Sequence, residues 1–152
     1  MKLMTKEVEA LFKIIGSQEG SSDPIVVAHF FNPCGPGNWW AIEMYYVIRK
    51  EFTAGELELE SSEQIEVEAA EVNVELNGKV LDVIFFGYVS IRGDSCDKWG
   101  YFDLSELESL KCPPFGMGII RDFFFVPRRI SKISPKAIIY PIARVEVKEY
   151  DI

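Results

Sequence analysis

The stretch Phe85–Lys111, FFGYVSIRGDSCDKWGYFDLSELESLK, decides how the chain folds. Phe85, Phe86, Tyr88, Val89 and Ile91 form a near-continuous apolar run, the pattern of a central strand covered on both faces. Gly87 inside that run predicts a bulge or the close approach of another backbone. Arg92–Lys98 reads as a polar loop and Trp99–Phe102 as a short strand. Ser105 and Glu108 have the S-x-x-E spacing of a capping box. Leu104, Leu107 and Leu110 then give the following helix, near 105–111, an apolar face.

Working outward, Thr5 is the expected N-cap of a first helix, with Val8, Leu11, Phe12 and Ile15 at helical spacing and Gly16 as its stop. Ile25–Phe31 reads as one buried strand, followed by the tight loop Asn32–Gly37. Trp39–Ile48, WWAIEMYYVI, is a further strand. A carboxylate inside it, Glu43, must face solvent, find a hydrogen-bonding partner or shift its pKa; alternation favours solvent. Ile119–Val126, IIRDFFFV, is apolar around the adjacent pair Arg121-Asp122, so its three phenylalanines are expected in the core. Ala137–Val147, interrupted by Pro141, is expected as a last edge strand.

Between the Trp-rich strand and the opening stretch, residues 51–78 hold nine glutamates and no basic residue. The pattern alternates: Glu56, Glu58 and Glu60 against Leu57 and Leu59, and Glu71, Asn73 and Glu75 against Val72, Val74 and Leu76. The phase slips at Ala69-Ala70, as at a bulge or turn. Asn77-Gly78 is a two-residue hairpin signal that would pair Val74 with Leu81 and Val72 with Val83. The expected architecture is α+β: a mainly antiparallel, strongly twisted sheet with an N-terminal helix and a second short helix. Residues 1–152 are expected to form one domain, with a β-ribbon inserted at about 51–80; the alternative for residues 51–78 is a mobile acidic loop.

Net charge is −8 and unevenly spread: residues 51–110 carry −12 and residues 111–152 carry +4. This balance gives no general footprint for nucleic acid, and direct nucleic-acid binding is not expected. No apolar run approaches the length of a membrane span, and the first residues lack the apolar core of a signal peptide, so the expected compartment is the cytoplasm. The cysteines Cys34, Cys96 and Cys112 are an odd set without CxxC spacing, expected as free thiols. Asp94, Asp97 and Asp103 lack the spacing of a calcium loop, and the glycines lack the context of a phosphate loop. No metal or cofactor is expected.

Several segments together resemble a known family. LMTKEVEAL, SQEGSSDPIVVAHFF, WWAIE, IFFGYVS, WGYFDLSELESL and IIRDFFFVP, in that order, are similar to the domain-of-unknown-function 2958 family of bacterial proteins. The resemblance spans most of residues 3–130. It implies a chain carried on plasmids, integrative elements or phages, beside antirestriction and DNA-transfer genes. The family's acidic connection is shorter than 51–78, and the chain continues past the family's usual end through Ile133–Ile152.

Two functions follow as expectations. The first is a cytoplasmic interaction protein of a mobile element, acting on a host defence or DNA-processing system through an acidic face: Glu56, Glu58, Glu60, Glu66, Glu68, Glu71 and Glu75. Its partner would be a protein with a basic surface. Carboxylates on one strand face repeat every 6.6–6.8 Å roughly, close to twice the single-strand phosphate rise. The plain alternative is that they keep an edge soluble. The second is a small enzyme or ligand-binding domain with a pocket near Trp39, Trp40, Glu43, Tyr101, Asp103, Arg121 and Asp122. An Arg–carboxylate pair among these would more often be structural. His29, the single histidine, and Cys34 are the thin nucleophilic option. A basic patch at Arg128, Arg129, Lys132 and Lys136 lies beside Phe123–Phe125, but stacking on nucleic acid needs exposed rings.

Overall fold

In the computed structural model the described residues are 2–49, 64–72, 80–91, 97–135 and 137. Helix α1, Lys6–Ile15, begins on Thr5, whose Oγ1 accepts from the Val8 N–H at 3.3 Å. It ends on Gly16 at φ 69°, whose N–H bonds the Phe12 carbonyl. Its inward stripe buries Val8 and Phe12.

The strands that follow are β1 Ile25–Val26, β2 Ala28–Phe31, β3 Asn38–Arg49, β4 Gln64–Glu68, β5 Val80–Ser90 and β6 Lys98–Asp103. Helix α2, Leu104–Ser109, then precedes β7 Ile120–Arg121 and β8 Arg128–Arg129. All pairings among the described residues are antiparallel. The main sheet runs β6-β5-β3-β2-β7, with β4 also on β3; β1 and β8 form a separate ribbon. The α+β architecture with an N-terminal helix is therefore the one expected.

Long β3 holds the sheet together. Its first half lies between β2 and β5, and its second half lies between β4 and β5. A bulge between Ala41 and Glu43 shifts the alternation by one residue. Trp39 and Ala41 before it, and Met44 and Tyr46 after it, all join the cluster beneath α1 and α2. Trp40 and Ile42 belong to the opposite cluster. Phe85 is the hub of the helix side, fully buried with Phe12, Phe30 and Phe102 around it at ring separations of 5.3–5.6 Å. The second side carries Phe86, Tyr88 and Ile42, covered by Val26, Ile130 and Ala137. Strand β5 is thus covered on both faces along Phe85–Tyr88.

Four expectations are corrected. Ile25–Phe31 is two strands in different sheets, because the Val27 N–H bonds the Ala41 carbonyl while β1 turns away to pair with β8. The capping box does not form. Helix α2 starts at Leu104 with Asp103 as N-cap, and Ser105 instead bonds Asp82 through both its N–H (3.3 Å) and its hydroxyl (2.6 Å). Glu43 does not face solvent; it is 1 % exposed. The run 119–126 is a strand only at Ile120–Arg121, and a turn held by Asp122 leaves Phe123 and Phe124 61 % and 94 % exposed. The phase slip at Ala69-Ala70 is a 3-10 turn, Ala69–Glu71. The Asn77-Gly78 hairpin, the strand after Ala137 and residues Glu56, Glu58, Glu60, Glu75 and Lys136 lie outside the described residues.

Candidate functional site

The expected pocket residues are distributed over both sides of the sheet. Trp39 is in the core beneath α1, whereas Trp40 stacks on the other side, 5.3 Å from the His29 ring and 8° from parallel. Arg121 pairs with Phe30 in the β2–β7 ladder, so alternation sends its side chain to the helix side. Asp122 follows on the opposite side, where its Oδ2 lies 3.2 Å from His29 Nδ1. Neighbours in sequence, these two charges therefore do not pair.

Glu43 is the most enclosed charge among the described residues. Its Oε2 accepts from the Gln18 N–H at 2.6 Å and the Ser17 hydroxyl at 3.3 Å, and its Oε1 accepts from the Tyr45 hydroxyl at 2.7 Å. Gln18 also ties β1 to β3. Its side-chain amide donates to the carbonyls of Ile25 and Ile42 and accepts from the Ile25 N–H. A carboxylate that accepts several donors can be buried at tolerable cost. Glu43 thus fastens the α1–β1 connection to the bulge.

His29 is held in an aromatic stack of Phe31, Trp40 and Phe125. Its second nitrogen, Nε2, meets the Asn38 amide at 2.8 Å. Cys34 instead donates its thiol to the Met117 sulfur at 3.3 Å. With both imidazole nitrogens engaged and the thiol turned to Met117, the two do not form a nucleophile–base pair in this arrangement.

The aromatic layer continues through Trp99, Phe86, Tyr101 and Tyr45. Beyond it the sheet opens into a concavity of 480 Å³ lined by Val47, Glu66, Leu81, Asp82, Ile84 and Asp103, with Gln64 and Ile65 on the β4 rim. Burial, and secondarily the Asp82 carboxylate, hold the Asp103 carboxyl above its ordinary value. Tyr101, half exposed, is stacked at the edge of this layer, and Glu68 pairs opposite Tyr45. Of the expected acidic face, Glu66, Glu68 and Glu71 are thus placed, with Glu66 on the concavity.

The basic patch is partly used by the fold. Arg129 donates to the Asp23 carbonyl at 3.0 Å. Arg128 lies 4.7 Å from the Phe125 ring, and Lys132 sits exposed in the turn after β8. Asp23 accepts from the Ser131 N–H (2.9 Å) and hydroxyl (2.6 Å), and its carboxyl is depressed by that bonding, outweighing desolvation. Gln18, Asp23, Asp82 and Ser131 were not singled out in the sequence. The one local signal was Asp23-Pro24, a turn pair whose side chain bonds nearby backbone by habit.

Among the described residues no group of three or more His, Cys, Asp or Glu is arranged to hold a metal ion, and no helix is long and apolar enough to cross a membrane. No family model, curated protein or solved structure matches the chain.

Proposed function

We propose that this chain is a cytoplasmic interaction protein that works by binding a protein partner with a basic surface. The mobile-element setting implied by the sequence resemblance makes a host defence or DNA-processing protein the candidate partner. The observation that carries the reading is the concavity where Glu66, Asp82 and Asp103 gather at the open end of the sheet. Asp82 is engaged by Ser105, so Glu66 and Asp103 are the carboxylates turned to an incoming group. An Arg or Lys side chain placed between them would offset the repulsion that Asp82 exerts on Asp103 and lie along Val47 and Ile84. Five further glutamates precede β4 in the sequence, at 51, 56, 58, 60 and 63.

The test compares capture from a host lysate by the intact chain and by a Glu66→Gln/Asp103→Asn double variant. A protein retained by the first and released by the second at moderate salt supports the proposal. Identical captured sets with the same salt dependence overturn it.

A further inference from the structure

We propose that a second site, between α1 and β7, binds a small monocarboxylate through Arg121. The site shares no residue with the acidic concavity and does not depend on that reading.

The argument begins with the strand register. Arg121 stands opposite Phe30, which is fully buried, so the guanidinium is carried toward the helix side of the sheet edge. There it lines a cavity of 350 Å³ with Val8 and Leu11 of α1, Val27 beneath, and Phe123 beside it. That volume is within the roughly 300–1,000 Å³ range of small-molecule sites.

The Arg121 side chain makes no hydrogen bond or ion pair with any described residue. Its Nε is buried without a partner, and the ring of Phe123 lies 4.9 Å from the guanidinium carbon. The nearby carboxylate that could have neutralised it is committed elsewhere: Asp122 Oδ2 meets His29, and its Oδ1 accepts from the Phe124 N–H at 3.0 Å. A guanidinium presents five donors in a planar fork that matches a carboxylate. A buried donor without an acceptor is unfavourable, so an acceptor entering the cavity would be held where the protein supplies none.

The walls set the rest of the ligand. Val8, Leu11, Val27 and Phe123 call for an apolar or aromatic body. Glu7 and Asp122 also line the cavity, so a second negative charge on the ligand would be repelled. A monoanion therefore suits the site better than a phosphate dianion.

Nuclear magnetic resonance titration of the isotope-labelled full chain tests this. Benzoate and hexanoate are the probes, with benzamide and inorganic phosphate as comparators. The expected result is a saturable shift of the Val8, Leu11, Val27 and Phe123 amides with either carboxylate, and none with benzamide or phosphate. Arg121→Gln should weaken benzoate binding by about tenfold or more. Leu11→Trp, which fills the cavity and keeps the arginine, should abolish it and serves if the first variant is unfolded. No saturable shift with either carboxylate overturns the proposal. So does undiminished binding in either folded variant, or tighter binding of phosphate or benzamide.

Discussion

Gly87 of β5 lies against the backbone of Trp40 in β3, so that a Cβ on Gly87 would stand 2.0 Å from the Trp40 carbonyl oxygen. The Ala41 Cα would be only 2.9 Å away. This is the point where the β3 bulge crosses its neighbour, with Ala41 opposite Gly87 and Glu43 opposite Phe86. Backbone cannot yield as a side-chain tip can, so Gly87→Ala must move one strand. The expected cost is about 3 kcal/mol, at the upper end for overpacking. Urea unfolding of the variant checks it; a change under roughly 1 kcal/mol would mean the bulge absorbs a methyl group.

Glu43→Gln is expected to cost about 2 kcal/mol, the scale of one charge-assisted hydrogen bond with its donor left badly matched. Glu43→Leu should cost about 4 kcal/mol, since the Gln18 N–H and the Ser17 and Tyr45 hydroxyls then lose their acceptor together. Tyr45→Phe removes one of these donors and should cost about 1 kcal/mol. Equilibrium unfolding of the three variants at neutral pH gives the ranking. If Glu43→Leu were as stable as the parent, the carboxylate would not be fastening the α1–β1 connection.

Two aspartates should impose opposite pH dependence on stability. Asp23 is depressed below the ordinary 3.8 by Ser131. The unfolded chain therefore binds its proton first on acidification. Its contribution is present above about pH 4 and is lost as pH falls through the lower folded value. Asp103 is raised by burial and by Asp82, so the folded state holds its proton more tightly. Its penalty is absent below about pH 4 and grows as pH rises through the higher folded value. Asp103→Asn should thus stabilise the chain at pH 7 and lose that advantage near pH 4. Asp23→Asn should destabilise it at pH 7 and become harmless in acid. Denaturant midpoints across this range decide the matter, and a shared sign for the two variants would contradict it.

The sheet was readable where period and turn chemistry coincide. Thr5 and Gly16 bound α1 because caps are local, and Gly87 marked a close approach because nothing but a missing Cβ explains a glycine in that run. What escaped was non-local. Ser105 and Glu108 have capping-box spacing, but Asp82 on the adjacent strand competes for Ser105 and wins. Glu43 looked solvent-facing because a bulge, which changes the phase of every later residue, leaves no mark in the alternation of WWAIEMYYVI. The candidate pocket failed to gather for a related reason. Trp39 and Trp40 are consecutive strand residues and so face opposite sides, and Asp122 leaves the end of β7 on the side opposite Arg121.

The same logic predicts which phenylalanines matter. Phe30 is fully buried and packs its ring at a tilt against Phe85, whereas Phe124, in a run of equal hydrophobicity, is 94 % exposed. The difference arises at Asp122. Its N–H bonds the His29 carbonyl, its Oδ1 takes the Phe124 N–H, and its backbone carbonyl accepts from Phe125, so the chain leaves the sheet before the rings. Phe30→Ala should cost about 4 kcal/mol, the transfer free energy plus a cavity. Phe124→Ser should change stability by less than about 0.5 kcal/mol, as surface substitutions do. Removing the turn should cost more than removing the ring it exposes. Asp122→Ala is expected to lose about 2 kcal/mol, from the Phe124 amide and the His29 imidazole together. Thermal unfolding of the three variants tests this order. A Phe124→Ser variant as damaged as Phe30→Ala would place that ring in a core and reverse the assignment of the 122–125 turn.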